Sequence, residues 1–149
     1  QQVWKASHRR ELQADEKYFN FNDMDKLADT LADIDVFFLL RPPSIANVKT
    51  FFVPLIEGCK NAKVKHIVFL SVQGVEKSSI IPHHKIEKLI RSSGIAFTFI
   101  RPSYFMQNLT TTLQYDIKYK NHIFLPAGNA PFLWVDVNDI GKAVAEVLR

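Results

Sequence analysis

The chain has 149 residues, 47% hydrophobic and 23% charged, with 19 Lys and Arg against 15 Asp and Glu for a formal charge of +4. That size and apolar content suit one domain with a real core, and no linker-like segment divides 1–149. They argue against three classes: a disulfide scaffold, because the single Cys59 sits in an apolar helical pattern; a membrane protein, because no run is long enough to cross; and a nucleic-acid module, because the basic residues are scattered rather than set in a stripe with aromatics.

The opening segment, QQVWKASHRR, has no apolar h-region and no initiating methionine, which leads to the expectation of a cytoplasmic protein or a piece of one. Val3 to Ser7 reads as a short strand, and Tyr18 to Asn22 alternates, with Tyr18 and Asn20 on one face and Phe19 and Phe21 on the other. Asp23 can cap a helix whose inner face is Met24, Leu27, Leu31 and Ile34. VFFLL, Val36 to Leu40, is the unbroken apolar run expected of a strand covered on both faces, and Arg41-Pro42-Pro43 ends it. Ser44 is the expected cap of a helix carrying Ile45, Val48, Phe52, Leu55, Ile56 and Cys59, in which Pro54 should kink or shorten the first part.

HIVFLS, His66 to Ser71, is the next strand. Pro82 then opens a helix with Ile86, Leu89 and Ile90 inward, and Ser93-Gly94 stops it. SGIAFTFIRPSYFMQN, Ser93 to Asn108, begins as another strand and breaks at Arg101-Pro102, since proline cannot donate to a ladder. LTTTLQYDIKY is predicted to be helical, IFLPAG and PFLWVDV to be strands, and Asp139 to begin a closing helix with Ile140, Val144, Val147 and Leu148 packed. This alternation predicts a doubly wound α/β fold with a mostly parallel sheet. Ligands in such sheets bind just past the carboxyl ends of strands, which directs attention to Arg41-Pro42 and Arg101-Pro102.

Three segments carry a resemblance: RPPSIANVKTFFVPLIEGCKNAKVKHIVFLSVQGVEKS, then HHKIEKLIRSSGIAFTFIRPSYFMQN, then FLWVDVNDIGKAVAEVL. Together they are similar to the NmrA-like branch of the atypical short-chain dehydrogenase/reductases, in order from about Val3 to the end of the chain. The resemblance implies a single NAD(P)-binding Rossmann-like domain over 1–149, incomplete at its N-terminal side and open to continuation at its C-terminal side. That family opens with a strand and a Gly-rich turn that holds the cofactor diphosphate. Here the five glycines, Gly58, Gly74, Gly94, Gly128 and Gly141, are isolated. With strand order 3-2-1-4-5-6, the strand that is not found would be central, and two inner edges would be bare.

The same resemblance assigns candidate roles. Arg9 and Arg10 follow the family's second strand, where a basic residue faces the adenosine 2′-phosphate, which implies NADP(H) in preference to NAD(H); an exposed basic turn is the alternative. Asn20, with Asn22 and Asp23, ends the strand beside the adenine. Leu40, Arg41 and Pro42 line the ribose and diphosphate. Lys85 takes the place of the lysine of a Tyr-x-x-x-Lys helix that holds the nicotinamide ribose, but Ile81 stands where the tyrosine would be. Ser71 takes the place of the catalytic serine, and His84, with His83, offers a proton donor near neutral pH unless the pair faces solvent. Pro102, Tyr104 and Phe105 wall the nicotinamide end, or else pack beneath a small C-terminal subdomain, and Asn108 pins the loop that follows. No metal site is expected. Two functions follow: an NAD(P)H-dependent reductase of a quinone-like or other small electrophile, or a non-catalytic NADP(H) sensor acting through a protein partner. A homodimer fits either.

Overall fold

The structure is a computed structural model that describes residues 2–9, 11–125 and 131–149. Strand β1 (Lys5–Ser7) pairs in parallel with β2 (Glu16–Tyr18). A separate three-stranded parallel sheet has the order β3 (Val36–Leu40), β4 (His66–Leu70), β5 (Ala96–Ile100). Its register runs Val36 to His66 to Ala96, so the three strands end together at Leu40, Leu70 and Ile100. A third parallel pair, β6 (Tyr104–Phe105) with β7 (Trp134–Val135), follows at the C-terminal side.

Helices α1 (Leu27–Leu31), α2 (Val48–Asn61) and α3 (Pro82–Ser92) cover one face of the main sheet. Leu39, Ile67 and Phe69 point into that face and meet Leu31, Phe52, Leu55, Ile56, Ile86 and Ile90 in one buried cluster. Residues alternate along a strand, so the opposite face of β3 carries Phe38 and Leu40, which are 37% and 51% exposed. The expectation that VFFLL is covered on both faces therefore fails for one of them. Between β1 and β3 lies a groove of about 800 Å³ lined by Val3, Trp4, Ala6, Val36, Phe37 and Phe38. It separates the β1–β2 pair from the main sheet at the position where a Rossmann order places its central strand. The fold is thus α/β, Rossmann-like and parallel, with that central place open.

Several boundaries differ from the sequence reading, each for a local reason. The Tyr18–Asn22 strand stops at Tyr18 because the chain turns back at an Asn20–Asp23 bridge. Asp23 does not cap α1: its Oδ2 accepts from the Tyr18 hydroxyl at 2.9 Å, and the helix begins only at Leu27. Ser44 does not cap α2. Arg41 Nη1 gathers the carbonyls of Pro42, Pro43 and Ile45 at 2.9, 3.1 and 2.9 Å and so holds that segment as a turn. Asn47 supplies the cap, its Oδ1 accepting from Thr50 N at 3.1 Å, and α2 then runs unbroken through Pro54.

Helix α3 matches its prediction, with Pro82 in the first turn and Gly94 at φ 81° just beyond its end. The segment after β6 is less helical than predicted: a short 3₁₀ turn at Met106–Leu109, then a π turn at Asp116–Lys120. Thr110 and Thr111 lie between them and donate their hydroxyls to the Gln107 carbonyl, a local alternative to helix. Of IFLPAG, Ile123–Leu125 form no strand, and 126–128 lie outside the described residues. Only Trp134–Val135 of PFLWVDV pair. Asp136 rather than Asp139 caps α4 (Val137–Val147), accepting from Asn138 N at 2.7 Å.

The β1–β2 pair has a single ladder and little cover, so it should open before the main sheet does. Native-state hydrogen exchange is expected to release the amides of β1 and β2 well ahead of those of Ile67 to Phe69; equal protection would show that the two sheets open as one unit.

Candidate functional site

The flush carboxyl ends of β3, β4 and β5 place Arg41, Ser71 and Arg101 side by side. Two backbone bonds extend the β4–β5 pairing past its last residues, from Ser71 N to Ile100 O at 2.8 Å and from Gln73 N to Pro102 O at 2.9 Å. The first two turns of helix α3 reach these ends, His83 facing Arg41 and Glu87 meeting Arg101.

Glu87 is the buried charge of the site. Arg101 grips it with both arms of its fork, Nε to Oε1 at 2.9 Å and Nη2 to Oε2 at 2.6 Å. Arg91 lies 3.6 Å from the same carboxylate, and Glu76 lies 3.8 Å from Arg101 Nη1. The Glu87 side chain is 6% exposed and that of Arg101 33% exposed. Burial pushes the Glu87 carboxyl up, but Arg101, Ser71 and Arg91 outweigh it, and the pKa settles below the usual carboxylate value. Ser71 itself is 2% exposed. Its hydroxyl meets full hydrogen-bond geometry with no described group, yet lies close enough to Glu87 to help hold it charged.

His83 stacks on Phe69, with ring centres 6.0 Å apart, and its Nε2 faces Arg41 Nε at 3.4 Å. Burial, and next the Arg41 charge, lower its pKa against the pull of Glu87, so the ring stays neutral at neutral pH. His84 is half-buried, with Nδ1 at 3.1 Å from the Val75 carbonyl; that contact places the proton on Nδ1 and leaves Nε2 free. Neither histidine is simply solvent-facing. Lys85 is exposed and enters no salt bridge among the described residues. Pro102, Tyr104 and Phe105 are half-buried, and the Tyr104 ring meets Phe132 and Trp134 edge-on at 5.2 Å each. Tyr104 thus braces the small C-terminal sheet.

At the other end, Arg9 follows β1 and lines a hollow of about 290 Å³ with Leu12, Tyr18 and Lys26. Lys26 Nζ lies over the Tyr18 ring at 5.3 Å. Arg10 lies outside the described residues. Asn20 is occupied within its own turn, its Oδ1 accepting from Asn22 N at 3.0 Å, and Leu40 is exposed at the end of β3. Asn108 acts through its carbonyl, which accepts from Leu113 N at 2.8 Å.

Polar side chains thus gather at two places, the carboxyl ends of β3 to β5 and the hollow beside Arg9. Among the described residues no Gly-rich turn leads from a strand into a helix: Gly58 and Gly141 are inside α2 and α4, Gly94 ends α3, and Gly74 opens a 3₁₀ turn. The described residues also contain no group of three His, Cys, Asp or Glu able to hold a metal, and no helix long and apolar enough to cross a membrane. Cys59 is buried in α2, which pushes its thiol up to about 12 and leaves it unreactive.

Sequence reasoning passed over Lys26 and the pairing of Glu87 with Arg101. Lys26, just before α1, was given no role, and only the fold sets it in one hollow with Arg9. Glu87 and Arg101 are 14 residues apart, on a helix and at a strand end, with no shared periodicity. The one local signal was an acidic residue on the inward side of α3 beside Ile86 and Ile90.

With this geometry in hand, comparison with known proteins is informative. The model of the NmrA-like family matches residues 18–149. Prestalk A differentiation protein A of Dictyostelium discoideum is 33% identical over 131 residues, 87% of this chain and 42% of that protein. The NAD(P)H azoreductase of Xenophilus azovorans is 29% identical over 126 residues, 82% of this chain and 43% of that protein. The crystal structure of Citrobacter sp. triphenylmethane reductase complexed with NADP(H) superposes with a TM-score of 0.73 at 23% identity, covering 90% of this chain and 49% of that one. The chain therefore spans less than half the length of the relatives it matches here.

The ion pair makes an asymmetric prediction. Arg101→Ala strands a buried carboxylate and should cost about 3 kcal/mol of stability or more, whereas Glu87→Ala strands a partly solvated guanidinium and should cost less. Denaturant titration checks the order. Because folding lowers the Glu87 pKa, its contribution is complete above the ordinary carboxylate value and is lost as pH falls through the folded value. Glu87→Gln should therefore flatten the acid limb of the stability curve; an unchanged limb would mean that other carboxylates set it.

Proposed function

The chain belongs to the NmrA-like family, and from that membership we propose that it forms part of an NAD(P)H-dependent oxidoreductase that reduces a small conjugated electrophile of the quinone class. The observation that carries the reading is the convergence of Arg41, His83, His84 and Pro102 at the flush carboxyl ends of three adjacent parallel strands, where α/β sheets bind ligands. The NAD(P)H azoreductase named above supports the NAD(P)H-dependent reductase class.

When bound, the cofactor supplies a hydride. The chain's own residues position and protonate. Arg9, Arg10 and Lys26 meet the adenosine 2′-phosphate, which favours NADP(H) over NAD(H), and Asn20 borders the adenine. Leu40, Arg41 and Pro42 form the ribose-side rim; Arg41 stiffens it by holding three carbonyls of its own turn. Lys85, exposed on α3, reaches the nicotinamide ribose. His84 keeps Nε2 free to exchange a proton with the reduced product. Ser71 lies beneath the cleft and acts through Glu87. Pro102, Tyr104 and Phe105 wall the nicotinamide end. The diphosphate cradle is left to residues other than those described.

A second reading rests on one observation: Ile81 stands just before α3 where the family's tyrosine would be, so that helix offers no phenol four residues before Lys85. A protein that binds NADP(H) without turnover and signals to a protein partner fits that absence.

Calorimetric titration of NADPH and NADH separates these. Saturable binding that favours NADPH is expected, and Arg9→Ala with Arg10→Ala should weaken NADPH about tenfold, the value of a charge-assisted contact, while leaving NADH unchanged. Equal affinities would overturn the NADP(H) preference. Steady NADPH consumption with a panel of quinones would establish the reductase, and tight binding without turnover the sensor.

A further inference from the structure

We propose that Glu87 is a positioning residue: its carboxylate fixes the Arg101 guanidinium, and through it the Pro102–Phe105 turn from which the small C-terminal sheet is hung. The rim of the cleft is then set by a directional ion pair rather than by packing.

The connections are short. Arg101 follows β5 directly, and both arms of its fork end on Glu87 of α3. The next residue, Pro102, has a fixed φ and gives its carbonyl to Gln73 N at 2.9 Å, which ties the turn to the end of β4 as well. Two residues later Tyr104 pairs with Trp134, backbone to backbone and ring to ring, with ring centres 5.2 Å apart. Asp136, two residues after Trp134, caps α4, and Gln107 Oε1 accepts from Val137 N at 3.1 Å. A chain of contacts therefore runs from Glu87 to the start of α4.

Apolar contact does not explain the geometry. The Arg101 guanidinium lies near Phe99, with Cζ 5.8 Å from the ring centre, farther than that of Arg91 at 4.8 Å. What orients Arg101 is the bidentate grip, and a planar fork on a carboxylate has one preferred direction. Glu87 is in turn held by α3, through Ile86 and Ile90 packed in the core on either side of it in sequence. The rigid helix thus aims the carboxylate, and the carboxylate aims the strand exit.

The proposal rests on the reading of this rim as the cofactor mouth, but its test needs no cofactor. The two tryptophans are Trp4 and Trp134, so Trp4→Phe leaves Trp134 as the only indole and a reporter of the rim. In that background, Glu87→Gln is expected to keep its far-UV circular dichroism and the slow exchange of the Ile67–Phe69 amides, while Trp134 becomes more accessible to acrylamide and its emission shifts to the red. Arg101→Lys, which keeps the charge and loses the fork, should fall between Glu87→Gln and the parent. Lowering the pH through the Glu87 titration should move Trp134 in the parent and leave it still in Glu87→Gln.

The double variant Glu87→Met with Arg101→Met separates positioning from stability, because an apolar pair can restore stability without restoring direction. Stability regained relative to Arg101→Met, with Trp134 still displaced, would support the proposal even if Glu87→Gln does not fold. Trp134 quenching equal to that of the parent in the double variant would overturn it, and so would a Glu87→Gln protein whose Trp134 quenching and emission match those of the parent at neutral pH. If NADPH binding proves absent while Trp134 behaves as expected, the functional reading fails and the positioning role stands.

Discussion

Strand β4 is hydrogen-bonded to a parallel neighbour along both of its edges, Val36 to Leu40 on one side and Ala96 to Ile100 on the other. Its inward residues, Ile67 and Phe69, are completely buried beneath α2 and α3. Parallel strands cannot be joined by tight turns, so each pairing requires a helical crossover, and the right-handedness of those crossovers puts α2 and α3 on the same face. The site follows from that constraint. Because the three strands stay in register, their carboxyl ends are level, and a charged or polar residue just beyond each strand lies about one strand spacing, roughly 5 Å, from the one beyond the neighbouring strand.

The same sheet shows what is unfinished. On the side away from α2 the surface of β3 is apolar and open, and its free edge faces β1 across a groove. A bare parallel edge and an uncovered apolar face are costly to leave in water. The β1–β2 pair, with Arg9 just beyond its first strand, is a separate parallel ladder on the other side of that groove. Two clusters of polar side chains thus lie on either side of an open central place, one beside β1 and one at the ends of β4 and β5.

Much of this was legible in the sequence. VFFLL, HIVFLS and AFTFI are compact apolar runs bounded by proline, glycine or charge, and all three became the strands of the main sheet. Pro82 and Gly94 bracketed α3 because their backbone preferences act whatever surrounds them. The misplaced boundaries were those where a side chain had a competing partner: Asp23 taken by the Tyr18 hydroxyl, and the Ser44 segment held as a turn by Arg41. Nothing local announces such competition. The both-faces reading of VFFLL failed differently, for the composition suited a central strand while Phe38 and Leu40 on one face stay exposed among the described residues.

The least legible feature is the charge pair, and the reason is general. Hydrophobic burial is non-directional, so a core of Leu, Ile and Phe can tell the sequence where α3 lies against the sheet but leaves the chain's exit angle from β5 under-determined. A buried carboxylate has the opposite character. Its net contribution to stability is small because desolvation opposes the attraction, yet it tolerates few geometries. Placing Glu87 within the apolar face of α3 therefore adds little to the strength of the core and much to its direction, at the one point where the chain leaves the sheet to build the rim. That division of labour, apolar residues for cohesion and one ion pair for aim, accounts for a charged residue in a helix position that packing alone would have given to leucine.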